Sequence, residues 1–190
     1  MPRAGLSTDR VVTAAAPVAD AGGFEQFTLA AVAQRLGIAL PSLYKHVGGL
    51  DDLRRQLAIT GMRELGNRLG RAAMGRSGHD ALAAVAHAYR AFATDRPGLY
   101  AATTRAPSPD DAEHTTVAQD TLDVALAVMR SYGIDGPDAV HAIRIYRSAL
   151  HGFVTQEAGG AFGMPESIDE SFRRLIELIH LGLTQWAQLR

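Results

Sequence analysis

The sequence predicts an all-α protein of about nine helices. Apolar residues recur at helical spacing almost throughout, and strand-like alternation is nearly absent. Ala, Leu and Arg, all strong helix formers, are abundant. Gly and Pro fall where helices stop and start.

Each element follows from local signals. Ser7 is a cap for a first helix running to about Ala21, with Gly22-Gly23 as its stop. Pro17 deletes a hydrogen bond inside it, so a kink or a short 3₁₀ stretch is expected there. Thr28 caps a short helix from Leu29 to Leu36, closed by Gly37. Pro41 opens a third through about Val47, and Gly48-Gly49 breaks it. Asp51-Asp52 puts acidic residues in the first turn of a long fourth helix to about Met74. Asp80 to Thr94 and a short Pro97 to Arg105 come next, then a loop with Pro107 and Pro109. Asp111 to Tyr132 ends at Gly133, and Pro137 opens a helix through about Ala158. A loop of Gly159, Gly160, Gly163 and Pro165 precedes a last helix, capped by Ser167 or Asp169 and ending near Leu189.

Composition narrows the function classes. A chain of 190 residues can bury a core without disulfides, and it has no cysteine for thiolate metal sites or cysteine nucleophiles. Lys and Arg number 19 against 20 Asp and Glu, so nucleic-acid binding would need local charge placement. Residues 1–55 hold six basic and five acidic side chains, a feeble bias. The Ala-rich stretch Val11 to Ala21 is broken by Pro17 and Asp20 and falls far short of the roughly 20 apolar residues of a membrane span. Asp9 stands just before it, without the basic start and cleavage site of a secretion signal. A cytoplasmic location and no membrane partner are expected.

Residues 28–53, TLAAVAQRLGIALPSLYKHVGGLDDL, carry the functional signal. Two short helices flank a Gly37-Ile38-Ala39 turn, Ala33 permits close approach, and Leu29, Val32, Leu36, Ile38, Leu43 and Val47 form an apolar side. This is a helix-turn-helix, whose second helix enters the major groove. Leu40, Pro41 and Ser42 lead that helix and are placed to face bases; Leu40 and Pro41 can only pack on thymine methyls, whereas Ser42 can hydrogen-bond. Tyr44 and His46 can donate to phosphates, and Lys45, the only lysine, can reach a base or a phosphate. Thr28 can meet a phosphate at its helix N-terminus as well as cap it, and Tyr44 has half-buried packing as the competing role.

The segment resembles the TetR family of bacterial one-component transcriptional regulators, through Thr28, Ala33, Leu36-Gly37 and Leu43-Tyr44-Lys45-His46. Val47 stands where the family often has Phe, and Leu50 where it usually has a phosphate-contacting Lys; Arg54 or Arg55 are the candidate replacements. Farther on, Leu150-His151-Gly152-Phe153-Val154, Glu157-Ala158-Gly159-Gly160, Phe162-Gly163-Met164-Pro165 and Ser171-Phe172 resemble the family's His-Gly (WHG-like) subclass. The resemblance implies a helix-turn-helix DNA-binding domain over residues 1–52 and an effector-binding and dimerisation domain over 53–190. It further implies a homodimer, most simply a repressor, bound to a double-stranded palindromic operator and released by a small-molecule effector, with no cofactor. A dimer interface through the last two helices would use Phe153, Phe172, Leu175, Ile176, Ile179, Leu183 and Trp186, for which intrachain core is the competing explanation. Candidate ligand contacts are Met62, Tyr89, Phe92, Tyr100, Leu126, Met129, Arg147 and His151, most of which also suit plain core. Arg147 and His151 share a helix face, placed either for an anionic or carbonyl ligand or for pairing with Glu157 or Asp123.

Enzyme signatures are missing: there is no HExxH, phosphate loop, Gly-x-Ser-x-Gly elbow or dinucleotide fingerprint. Asp110 to His114 reads as an acidic helix start rather than a metal site. The alternative from another class is an all-helical ligand-binding or catalytic protein that has lost DNA binding, for which Leu50 gives some footing.

Overall fold

The computed structural model describes residues 6–189, which form nine α-helices, one 3₁₀ turn and no strand. In chain order they are α1 Thr8–Gly22, α2 Leu29–Leu36, α3 Leu40–Leu43, α4 Leu50–Ala73 and α5 Gly78–Asp95. α6 Pro97–Ala102, α7 Ala112–Arg130, α8 Gly136–Ala158 and α9 Ile168–Thr184 follow, then the 3₁₀ turn Trp186–Leu189. None of the described helices is long and apolar enough to cross a membrane. Arg3, counted in the basic set above, lies outside the described residues.

The caps form as the sequence signals. Ser7, Thr28 and Ser167 accept the backbone N–H three residues on, at 3.3, 3.2 and 3.3 Å. Gly37 takes the left-handed conformation at φ +67°, and its N–H and that of Ile38 close the end of α2 on carbonyls of Ala33 and Gln34. Three segments differ from the sequence reading. α1 stays α-helical through Pro17 with no 3₁₀ stretch, because Val12, Ala15, Ala16 and Ala19 are buried on both sides of the proline and hold the winding. α3 is a single turn ending at Leu43; the chain winds on to Val47 through bonds from His46 and Val47 N–H to the Leu43 carbonyl, 2.8 and 3.1 Å. α9 stops at Thr184 and tightens into the 3₁₀ turn.

The chain divides into two units, Met1–Glu64 with Asp95–Ala118, and Leu65–Thr94 with Gln119–Arg190. In the first, the core gathers Val11, Ala15, Val32, Leu43, Leu53, Leu57 and Leu99, and Ile59, Met62 and Val117 form a further cluster. Its joint is the start of α6, whose own N-cap residue, Arg96, offers no side-chain cap. Asp20 from the end of α1 supplies it instead, accepting Gly98 and Leu99 N–H at 2.9 and 3.1 Å and Arg96 Nε at 2.8 Å. Arg96 also reaches Glu64 at 2.7 Å, which adds α4 to the joint. The backbones meet so closely that a Cβ on Gly98 would lie 2.2 Å from the Ala19 carbonyl carbon.

In the second unit, Phe92, Phe172, Leu82, Met129 and Leu150 are wholly buried. Arg90 of α5 binds Glu157 of α8 and, at 2.8 Å, Asp169 of α9, with its guanidinium 4.8 Å from the Phe172 ring centre. The clamp on Glu157 raises the Arg90 pKa, so the pair stays ionised. Tyr146 Oη donates to the Leu82 carbonyl at 2.7 Å and ties α8 to α5.

Two glycines test the packing with opposite signs. Gly98→Ala has no side chain to displace, only backbone, and should cost at least about 1–3 kcal/mol. Gly70→Ala, in α4 with its nearest neighbour at 3.8 Å, should instead gain about 0.5–1 kcal/mol. Urea midpoints of the two variants check this; equal midpoints would reject the α1–α6 contact.

Candidate nucleic-acid interface

α2, the Gly37 turn and α3 form the helix-turn-helix on the first unit. Leu29, Val32, Ala33, Leu43 and Val47 are buried and fix the pair, with α1 packed behind through Val11, Val12 and Ala15. Thr8 Oγ1 donates to the His46 carbonyl at 2.8 Å, pinning the end of the recognition turn to the start of α1. Asp52 accepts Gly48 N–H at 2.8 Å and fixes the loop into α4. Gly48 and Asp52, one turn apart, are the sequence signal for the second bond, whereas Thr8 and His46 are too far apart in the chain to signal the first.

With Leu43 and Val47 turned inward, the remaining side chains of this segment point outward. Tyr44 is 59% exposed and Leu40 38%. Thr28, Pro41 and Lys45 are also exposed, and Ser42 and His46 are half-buried. Thr28 Oγ1 spends a lone pair on Ala31 N–H, which leaves its hydroxyl proton for another acceptor. The structure thus brings all seven sequence-derived positions onto two adjacent helix starts and one turn.

Leu50 is half-buried at the start of α4, and both arginines that are candidate replacements have partners in their own unit. Arg54 Nη2 donates to the Glu25 carbonyl at 3.0 Å, and its guanidinium stands 6.0 and 5.9 Å from the Phe24 and Phe27 ring centres. Arg55 is forked onto Asp111 at 2.5 and 2.6 Å and reaches Glu113 at 3.2 Å. Both are drawn off by nearer partners in their own unit.

The Arg55 hydrogen bonds, helped by His114 N–H, hold the Asp111 carboxyl at about 2, down from 3.8, against the opposing effect of burial. Asp111 is therefore the acidic start of α7, accepting His114 N–H at 3.1 Å. A depressed carboxylate pKa contributes stability above its unfolded value and loses it as pH falls to the folded value. Asp111→Asn should lower the urea midpoint at pH 7, and the gap to the parent should close between about pH 4 and pH 2. A gap that persists unchanged at pH 2 would reject this reading of the Arg55–Asp111 pair.

The other sequence-derived positions are placed as follows. Met62 and Tyr100 are buried in the first unit; Tyr89, Phe92 and Met129 are buried in the second. There Leu126 and His151 are half-buried and Arg147 is exposed. Glu157, considered as a partner for Arg147 and His151, receives Arg90, and Asp123 accepts the Gln119 amide at 2.8 Å. Of the expected dimer face, Phe172, Ile176 and Leu183 are no more than 4% exposed within the protomer. Phe153, Leu175, Ile179 and Trp186 are half-buried. Large apolar side chains that stand out on α8 and α9 are Val140, Ile145, Leu178 and Leu181, none of them in the expected dimer face.

Residues 82–179 match the family model described as "Tetracyclin repressor-like, C-terminal domain". An uncharacterised HTH-type transcriptional regulator of Mycobacterium tuberculosis is 40% identical over 156 residues, 82% of this chain and 72% of that one. A second uncharacterised HTH-type transcriptional regulator, YobS of Bacillus subtilis, is 35% identical over 182 residues, 96% of this chain and 95% of the relative. Among solved structures, a TetR variant from Acinetobacter baumannii AYE in complex with minocycline is similar in fold, with TM-score 0.71 and 20% identity over 96% of this chain and 98% of that one.

Proposed function

The chain belongs to the TetR family of DNA-binding transcriptional regulators, which are not enzymes, and from this premise we propose that it is a cytoplasmic, homodimeric repressor. It binds a palindromic operator and leaves it when a small molecule occupies the second unit. The observation that carries the reading is the outward set Leu40, Pro41, Tyr44 and Lys45 beside Thr28, held by the buried Leu43 and Val47. Tyr44, His46 and Thr28 contact phosphates and set register, while Leu40, Pro41 and Ser42 face base edges. Residues 1–52 are the DNA-binding domain and 53–190 the effector and dimerisation domain.

One such module buries little surface, so a pair spanning half-sites about 34–36 Å apart, or a multiple, provides the affinity. The exposed Ile145, Leu178 and Leu181 supply the apolar face for pairing, with half-buried Phe153, Leu175, Ile179 and Trp186 beside it. The effector contacts are Arg147 and His151, one turn apart on α8, with Tyr89, Phe92, Leu126 and Met129 of the same unit. The minocycline held by the solved relative supports a drug-sized effector. α4, continuous from Leu50 to Ala73, transmits the change by altering the separation of the two recognition helices. A full switch requires the effector to prefer the released state by about 5.5 kcal/mol.

The half-buried Leu50, with Arg54 and Arg55 both engaged elsewhere, favours the competing reading of a ligand-binding protein without DNA binding. Selection of bound duplex from a random pool at moderate salt separates the two. Enrichment of a two-fold-symmetric site is expected; no enrichment by the parent or by Leu50→Lys would overturn the repressor reading. On the selected site, Tyr44→Phe should weaken specific and random DNA to a similar extent, because a phosphate contact carries no sequence code. Unaltered affinity for both duplexes in a salt titration would remove Tyr44 from the phosphate contacts.

A further inference from the structure

We propose that a second small-molecule site lies in the first unit, in the cleft beneath the α1–α2 connection, and that it takes a carboxylate on an apolar body. The cleft measures about 360 Å³, within the usual range for ligand sites. Its walls come from Phe24 before α2, Arg54 and Ala58 of α4, Ala102 and Arg105 at the end of α6, and His114 of α7. All of them belong to the first unit, whereas the effector contacts proposed above are in the second.

Two buried polar atoms without a hydrogen-bond partner belong to residues that line this cleft: Arg54 Nε and His114 Nε2. His114 is only 6% exposed, and its backbone N–H is already used by Asp111. A guanidinium carries donors only, so whatever satisfies Arg54 Nε must be an acceptor. Its other nitrogens are engaged, Nη2 at the Glu25 carbonyl and Nη1 3.9 Å from Asp51. The Phe24 and Phe27 ring faces attract the guanidinium but offer no lone pair. The lining carboxylates do not meet this need: Asp111 is taken by Arg55, and the Asp51 side chain is fully exposed. Arg105 stands at the mouth, paired to Glu25 at 3.1 Å and mostly exposed.

A carboxylate has two acceptor oxygens, one for Arg54 Nε–H and one for the His114 Nε2–H tautomer. Phe24, Ala58, Ala102 and Ala106 give the cleft carbon walls beside Ser108 and the paired Arg55 and Asp111, which calls for an apolar body behind the charge. Inorganic phosphate meets the donors but not those walls, and a neutral apolar molecule does the reverse. Because Arg54 also holds the Glu25 carbonyl, an occupant bears directly on the segment leading to the Thr28 cap.

The test uses the full chain and three probes: benzoate, benzyl alcohol and inorganic phosphate. Imidazole NMR resolves the response among the seven histidines. Benzoate should move the His114 resonance saturably, at least about ten-fold more tightly than either other probe. Arg54→Met should abolish that response while the His79 and His180 signals stay in place. Ala106→Leu, which narrows the cleft from an exposed position without touching Arg54, should also block it. The proposal falls if benzoate gives no saturable His114 shift up to about 20 mM. It falls too if phosphate or benzyl alcohol binds equally well, if the shift appears only at other histidines, or if both variants bind benzoate as the parent does.

Discussion

The carboxylate of Asp20 is the interaction on which the first unit depends. α6 begins with no cap of its own, and its first N–H groups would otherwise be buried without acceptors. Asp20 accepts two of them and Arg96 Nε, and Arg96 in turn reaches Glu64. Charge-assisted bonds of this kind contribute about 1.5–3 kcal/mol each. They can form only because Gly98 lets the α6 backbone rest on that of Ala19. α1 is thereby fixed at its end to α6, and at its start, through Thr8, to the His46 carbonyl. One helix thus links the recognition turn to α6 and α4.

The arginines divide in a way that net charge hides. Arg54, Arg55, Arg90 and Arg96 each hold elements together within a unit through carboxylates or a carbonyl. Lys45 and Arg35 remain exposed on the helix-turn-helix. Residues 28–47 carry Arg35 and Lys45 and no acidic residue, so the helix-turn-helix itself is more positive than the near-neutral balance of residues 1–55. The same accounting explains why Leu50 is consequential. The arginines nearest to it in sequence are spent on structure, so phosphate contact falls to Thr28, Tyr44, His46 and Lys45 in the proposed complex.

In the second unit α9 carries apolar side chains on two faces. α9 turns Phe172, Ile176 and Leu183 into its own protomer, where Phe172 meets the Arg90 clamp. Leu178 and Leu181 stand on the outside, with Ile145 of α8 exposed as well. Helical periodicity identifies that α9 has an apolar face but assigns no partner to it, because burial against α8 and burial against another copy demand the same side chains. An apolar residue on the far side of a strongly amphipathic helix is the better pointer to a partner, and Leu178 and Leu181 are of that kind.

Local signals in the chain were enough for most helices, the caps at Ser7 and Thr28, the left-handed stop at Gly37 and the helix-turn-helix, and they narrowed the last cap to Ser167 or Asp169. All of these rest on residues within a few positions of one another, so local sterics and hydrogen bonding suffice. The outward set Thr28, Leu40, Pro41, Tyr44 and Lys45 was legible for the same reason: it is what remains when the buried spacing of Leu29, Val32, Leu43 and Val47 is removed. Only the tertiary structure decided which residue caps α6, what Arg54 and Arg55 bind, and which α9 side chains are core. It alone placed Arg54 and His114 at one cleft. Asp20 and Gly98, or Arg55 and Asp111, lie more than fifty positions apart and meet only because the packed core carries them together. Their chemistry is written in the chain, but the choice of partner is made by distance, and distance is a property of the fold.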